Sequence, residues 1–262
     1  MVTSKKLSVV VPVYRAEKFI KKNLEQMKDN ISKIFPNYEL IAVIDGELDN
    51  SLKEAKKVSG IKVISFKENQ GKGAALKYGF SKCTGDYVTF VDCDMDLPPA
   101  QLKNFIPYLS TADLVIGSKR HPFSKIEYPW YRQILSQGFQ IYSWLILQVN
   151  LRDTQSGLKL IKKEVLDVVM PLVLVKRYAF DVELCFLAQK HGFRMVEAPL
   201  NIKYQLTGSG INLKAIRGMF LDVLAIRYRY SFRKFYQRKF WKEKFVEWKK
   251  QLLVHFTPVK VA

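Results

Sequence analysis

Short, almost wholly apolar runs alternate with segments of helical spacing through the first half of this chain. Leu7-Ser8-Val9-Val10-Val11-Pro12, Leu40-Ile41-Ala42-Val43-Ile44-Asp45, Ile61-Lys62-Val63-Ile64-Ser65 and Tyr87 to Val91 read as buried strands. Between them, Glu17 to Ile34, Ser51 to Val58 and Gly73 to Cys83 carry the apolar spacing of helices. This alternation predicts an α/β domain built on a mostly parallel sheet sandwiched by helices, with ligands beyond the carboxyl ends of the strands. The second half continues with a strand at Leu114 to Gly117, a long helix over Ile126 to Val149, and a turn at Asp153 to Gly157. A strand then covers Leu158 to Ile161, and a helix over Phe180 to His191 stops at Gly192.

Two of the predicted strands end in acids. The second ends at Asp45, and the fourth runs into Asp92, Asp94 and Asp96 before Pro98-Pro99 forbids its continuation. Both places fall at carboxyl ends and so face one cleft. Three carboxylates at alternating positions repel one another unless positive charge joins them. Such hard oxygen ligands suit Mg²⁺ or Mn²⁺, which can hold a phosphate-bearing substrate.

Charge then adds a partner. The 262 residues carry a formal net charge of +19, and 13 Lys/Arg against 3 Asp/Glu fall in residues 206–262. A polyanionic surface is expected at that end. Residues 213–253 lack proline, and Trp241, Phe245, Trp248 and Leu252 recur at helical spacing beside Lys242, Lys244, Lys249 and Lys250. A basic amphipathic helical tail of this kind reads as a membrane-surface element. The division expected is a catalytic domain over 1–212 and the tail over 213–262. No run is long and apolar enough to span a bilayer, and no signal-peptide pattern opens the chain, so peripheral attachment to the cytoplasmic membrane face is expected. Cys83, Cys93 and Cys185 show neither zinc spacing nor a disulfide framework. His121, His191 and His255 are isolated, Gly71-Lys72-Gly73 lacks P-loop spacing, and no dinucleotide fingerprint follows the first strand.

Four motifs occur in order: Val11-Pro12-Val13-Tyr14, Asp45 with Asp49, Asn69-Gln70-Gly71-Lys72-Gly73-Ala74-Ala75, and Asp92-Cys93-Asp94. Together with Gly79, Gly85-Asp86 and the double proline, they resemble an inverting family 2 glycosyltransferase of the GT-A fold, which is Rossmann-like. The nearer likeness is to the dolichyl-phosphate glucose and mannose transferases. It covers roughly residues 7–230. The resemblance implies that Pro12, Tyr14, Glu17, Asp45, Lys72 and Cys93 contact the nucleotide-sugar, and that Asp92 and Asp94 bind the metal and the donor diphosphate, with Asp96 as third ligand. It also implies acceptor contacts at Arg132 and Ser136, and it matches the Asp153 to Gly157 turn. Two positions depart from the family pattern. Arg15-Ala16 stand where relatives have Asn-Glu, so Glu17 comes one position late, and Ile44 replaces the first acid of an Asp-Asp pair.

The acceptor divides the chemical readings. A sugar hydroxyl needs a general base. A lipid monophosphate is already ionised and needs cations instead. Lys119, Arg120, Arg132, Lys176 and Arg177 supply such cations, and Trp130, Tyr131, Phe139, Tyr142 and Trp144 offer apolar surface or core. Asp181 and Glu183 open a helix, where acids favour the dipole, and Asp181 is the candidate base. The expected activity is transfer of a hexose from a nucleotide-sugar to a polyprenyl or dolichyl phosphate. UDP-glucose is preferred and GDP-mannose is second. The alternative is a family 2 transferase acting on a sugar hydroxyl of a lipid-linked glycan or surface polymer. The Gln-x-x-Arg-Trp signature of processive synthases is absent. Nucleic acid is not an expected partner.

Overall fold

The computed structural model describes residues 5–127, 130–203 and 213–237. Strands β1 (Leu7–Val13), β2 (Tyr38–Asp45), β3 (Lys62–Phe66) and β4 (Tyr87–Phe90) alternate with helices α1 (Ile20–Ser32), α2 (Ser51–Lys56) and α3 (Lys72–Ser81). Then come β5 (Leu114–Ser118), β6 (Lys125–Glu127), α4 (Trp130–Leu147), β7 (Lys159–Lys162), α5 (Lys163–Val169), α6 (Phe180–Lys190), β8 (Met195–Pro199), β9 (Asn201–Lys203) and α7 (Leu213–Ser231). Seven strands form one sheet in the order β3-β2-β1-β4-β7-β5-β8, and β6 pairs with β9 in a small second sheet. Among the described strands of the large sheet, only β7 runs antiparallel, against β4 and β5.

The period-2 alternation of strand side chains builds two cores. Leu7, Val9, Val11 and Val13 of β1 join Leu40, Ala42 and Ile44 of β2 on one face, covered by Ile20, Leu24, Met27 and Ile31 of α1. Val10, Ile41 and Val43 face the other way, against Ala75 and Leu76 of α3 and the apolar side of α6. The expected α/β sandwich is therefore present.

Two details differ from the sequence-based expectation. The predicted helix over Ile126 to Val149 begins at Trp130, and Lys125–Glu127 is a strand. Pro129 accounts for this, since a proline inside a helix removes a hydrogen bond and clashes with the preceding turn. Strands β8 and β9 lack the long apolar signature because they lie toward sheet edges and are only partly buried. Helix α7 packs on α4 and α6, with Val223 and Ile226 fully buried. It is joined to α4 by a Tyr142 hydroxyl donating to the Phe220 carbonyl at 3.0 Å. The aromatic stripe predicted at Trp241 to Leu252 lies outside the described residues. Among the described residues, no helix is long and apolar enough to cross a membrane.

Helix α3 matters most for the site because it presents Lys72 at its first turn. It lies so close to β1 that a Cβ on Gly79 would stand 2.3 Å from Val10 Cγ1. Gly79→Ala is expected to lower unfolding stability by about 1–3 kcal/mol through overpacking, measured by urea denaturation.

Candidate active site

The carboxyl ends of β1, β2, β4 and β5 all lie at one edge of the sheet. Strand β1 runs three residues beyond its last pair with β4, Val10 with Phe90. Val11, Pro12 and Val13 keep only β2 as ladder partner. Tyr14 follows, exposed, and Arg15 adopts a left-handed φ of 48°. Glu17 binds the neighbouring loop, accepting from the Asn50 backbone N–H at 3.0 Å. Asp45 is buried and accepts from the backbone N–H groups of Gln70 (2.6 Å) and Gly71 (3.0 Å). Burial raises its pKa, and those two hydrogen bonds only partly oppose the rise. Asp45 thus fixes the loop that leads into α3.

That loop is where glycine is required. Gly71 has φ 95°, and a Cβ there would lie 2.6 Å from the Lys176 carbonyl oxygen. A Cβ on Gly73 would lie 2.8 Å from the Val175 carbonyl. The Gly73 N–H donates to the Lys176 carbonyl at 2.9 Å. The residue between the two glycines, Lys72, reaches Asp92 with its ammonium 2.6 Å from Oδ1.

Asp92 and Asp94 stand just past β4. The turn closes through the Met95 N–H donating to the Asp92 carbonyl at 3.1 Å, with Met95 at a left-handed φ of 64°. Asn23 of α1 braces it by donating to the Cys93 carbonyl at 2.8 Å. Asp94 reaches solvent, yet crowding by protein raises its pKa and the charge of Asp92 adds to the rise. Lys72 feels the converse field. Lost hydration pulls its pKa down, but Asp92, Asp181 and Asp94 more than reverse this, so its pKa is raised. Cys93 is no nucleophile, since burial, with both acids adding, pushes its thiol up to about 12. Asp96 is exposed, and its N–H donates to Asp94 Oδ1 at 3.2 Å.

Lys159 is a residue that motif reading passes over. It sits in β7 opposite Phe90 and is fully buried. Its ammonium donates to Asp181 Oδ1 and to the Ser156 carbonyl, each at 2.6 Å. It also stands 5.4 Å from the Phe90 ring centre. A lysine within the apolar run Leu158 to Ile161 is the available signal, because Lys is almost never fully buried unless paired. The structure therefore places Asp181 as the counter-ion of a buried ammonium, within the field of Lys72.

A second charged group lies across the Asp153 to Gly157 turn. Buried Asp153 accepts from the Lys119 backbone N–H at 3.0 Å and pairs with the Lys119 ammonium at 2.7 Å. Burial alone would raise its pKa; Lys119 and Arg120 hold it below the usual carboxylate range. Arg120 donates to Ser136 Oγ of α4 at 3.0 Å and to the Arg152 carbonyl at 3.2 Å. Arg132 stands one helical turn before Ser136, and its side chain lies outside the described residues. Arg177 is exposed beside Gly71. The turn's far end closes on the acids, since a Cβ on Gly157 would come within 2.9 Å of Asp92 Oδ2. Ser156 Oγ is buried there with no hydrogen-bond partner among the described residues. The turn thus separates a carboxylate-rich cluster from a guanidinium–ammonium pair by a few residues.

The model for glycosyl transferase family 2 matches residues 8–170. The chain belongs to this family. A dolichyl-phosphate beta-glucosyltransferase of Dictyostelium discoideum is 30% identical over 251 residues, covering 86% of this chain and 74% of that protein. The human dolichyl-phosphate beta-glucosyltransferase is 29% identical over 248 residues, covering 87% and 76%. Among solved structures, glucosyl-3-phosphoglycerate synthase from Mycobacterium tuberculosis, in complex with Mn²⁺, UDP and phosphoglyceric acid, superposes with a TM-score of 0.64. It is 20% identical, and the match covers 87% of this chain and 78% of that one. This likeness establishes the GT-A fold expected from the motifs.

The buried Lys159–Asp181 pair makes a direct prediction. Lys159→Met leaves Asp181 without its nearest cation and should cost about 3–5 kcal/mol of stability, whereas the double variant with Asp181→Leu should recover much of the loss. A double-mutant cycle by urea denaturation reads the coupling.

Proposed function

We propose that this family 2 transferase moves a hexose, glucose by preference, from a nucleotide-sugar to a polyprenyl phosphate of the dolichyl type. The observation that carries the reading is the pairing of two unlike clusters across one turn: Lys72 with Asp92 and Asp94 on one side, Lys119 and Arg120 on the other. The names of the relatives point to the same sugar and acceptor.

The donor side fits a divalent cation. Two carboxylates lie together, one with its pKa raised by burial and further by the charge of the other, and the Gly157 backbone leaves space that a side chain would fill. Among the described residues no three acid, histidine or cysteine groups form a preformed metal cage. A Mg²⁺ or Mn²⁺ ion would therefore be held by Asp92 and Asp94, with diphosphate oxygens as further ligands. Such an ion supplies Lewis-acid neutralisation of the departing nucleotide. Lys72, at the positive first turn of α3, adds a donor and a charge where the leaving diphosphate becomes more negative. Tyr14 and the loop tied down by Asp45 flank the place for the base and ribose.

On the acceptor side, Arg120 holds its fork between Ser136 of α4 and the Arg152 carbonyl. A pocket of about 440 Å³ opens beside it, lined by Ile141, Trp144, Val149 and Leu151 and, on its polar side, by Arg152 and Glu197 among others. An anionic headgroup at Arg120 and a hydrocarbon unit in that pocket suit an isoprenoid phosphate. A phosphate acceptor brings its own negative oxygen as nucleophile, so the site needs no proton-abstracting base. Asp181, already accepting from Lys159, serves better as a counter-ion than as a base for a sugar hydroxyl. The concentration of basic residues toward the C-terminal end supports peripheral binding to an anionic membrane, at the cytoplasmic face.

The decisive assay supplies UDP-glucose or GDP-mannose, polyprenyl phosphate and Mn²⁺ or Mg²⁺ to purified protein. A mild-acid-labile glucosyl lipid is expected; label entering only a preformed glycan would replace this reading with hydroxyl transfer. Asp92→Asn should lower kcat by about 10²–10³-fold. Arg120→Gln should raise the KM for polyprenyl phosphate and leave that for UDP-glucose in place, measured by steady-state kinetics.

A further inference from the structure

Glu183 is a heavily bonded acid that the proposed chemistry does not use. It is fully buried in α6, two residues after Asp181. Its two oxygens serve opposite sides. Oε2 accepts from the backbone N–H groups of Leu174 (2.8 Å) and Val175 (2.7 Å). Oε1 accepts from Arg229 of α7 (2.8 Å) and from the Tyr236 hydroxyl (2.5 Å). Arg229 also donates to the Tyr236 oxygen at 3.0 Å, closing a three-membered network.

The segment that Glu183 grips is the one packed on the Lys72 loop. Lys77 of α3 donates to the Val173 carbonyl at 2.5 Å. The Val175 and Lys176 carbonyls press on Gly73 and Gly71, and the Gly73 N–H donates to Lys176. A continuous path of hydrogen bonds and backbone contacts therefore runs from Arg229 and Tyr236 through Glu183 and residues 173–177 to the two glycines that bracket Lys72. Removing the C-terminal partners would leave a buried carboxylate oxygen bare, which costs far more than a lost surface contact.

We propose that Glu183 is a positioning residue for Lys72: it clamps residues 173–177 against Gly71 and Gly73 and so sets the ammonium opposite Asp92, with Arg229 and Tyr236 completing the clamp. On this account residues 229–236 belong to the donor site's support as well as to the C-terminal helical region. The inference rests on the proposed donor role of Lys72.

The test uses the full chain with Tyr236→Phe, Arg229→Met and Glu183→Gln. Three readouts are taken: UDP binding with Mn²⁺ by calorimetry, donor and acceptor KM with kcat, and hydrogen exchange at the Gly73 amide. Tyr236→Phe removes one hydroxyl and should fold. It is expected to weaken UDP binding and raise the donor KM about fivefold, to leave the polyprenyl-phosphate KM unchanged, and to speed Gly73 exchange by a similar factor. Arg229→Met and Glu183→Gln should do more in the same direction. The proposal is overturned if the folded variants bind UDP as the wild type does and lose kcat only in proportion to their folded fraction. If the wild type neither binds UDP nor transfers sugar, the functional reading falls and the donor role of Lys72 with it. Gly73 exchange then still decides whether the clamp exists, since unchanged exchange in all three variants would overturn the clamp itself. If Glu183→Gln fails to fold, the same readouts on Tyr236→Phe decide between these outcomes.

Discussion

The site depends on how positive charge is placed among carboxylates at the carboxyl edge of a parallel sheet. Asp92, Asp94 and Asp181 lie close enough to shift the Lys72 ammonium together, and Lys72 answers with a 2.6 Å contact to Asp92. Lys159 answers from beneath through Asp181. In a medium less polar than water each of these charges would be costly alone, and together they are tolerated. The balance is not complete, because Asp94 keeps a raised pKa beside Asp92. The cluster thus sets Asp94, which reaches solvent, beside an Asp92 already paired with Lys72.

Backbone proximity makes this charge placement possible. Gly71 and Gly73 let the Lys176 and Val175 carbonyls approach to distances no Cβ would permit, and Gly157 does the same beside Asp92. Each close approach removes a layer of side chains between elements distant in sequence. Lys72 and Asp92, twenty residues apart, meet because α3 and β4 both abut the same strand, β1. Asp153 and Lys119 meet because β7 returns antiparallel between β4 and β5. The antiparallel strand turns the Asp153 to Gly157 segment back onto the carboxyl edge, where a parallel strand would have carried it to the opposite one.

Much of this is legible in the chain, for reasons that differ by element. The strands β1, β2 and β4 are buried on both faces and so appear as uninterrupted apolar runs, and the acid that ends β2 and those that follow β4 mark the edge where ligands bind. The direction of β7 is not legible, because Leu158 to Ile161 is equally apolar for a parallel or antiparallel neighbour. The partners of the acids are also hidden. Asp45 reads as a ligand-facing acid, and its carboxylate bonds Gln70 and Gly71. Asp181 reads as a base at a helix start, and its partner Lys159 lies 22 residues away in a strand. Single-site motifs name residue types well, but they carry no record of which opposite charge the fold delivers to them.

That delivery bears on the choice of acceptor. A transferase acting on a hydroxyl must keep one carboxylate unencumbered at the acceptor side, since a base already bonded to a buried ammonium gains little by taking a proton and loses its ion pair in doing so. Here Asp153, the acid that meets the proposed acceptor cations, has its pKa held low by Lys119 and Arg120, and Asp181 is tied to Lys159. Both acids are thereby committed to ordering cations, and Glu197 at the pocket beside Arg120 accepts from the Arg152 and Asp153 backbone N–H groups. An arrangement that commits its acids in this way is poorly suited to deprotonating a neutral nucleophile and well suited to holding one that arrives ionised. The surplus of positive charge toward the C-terminal end and the apolar pocket beside Arg120 extend the same logic outward, from the reacting phosphate to the hydrocarbon that follows it.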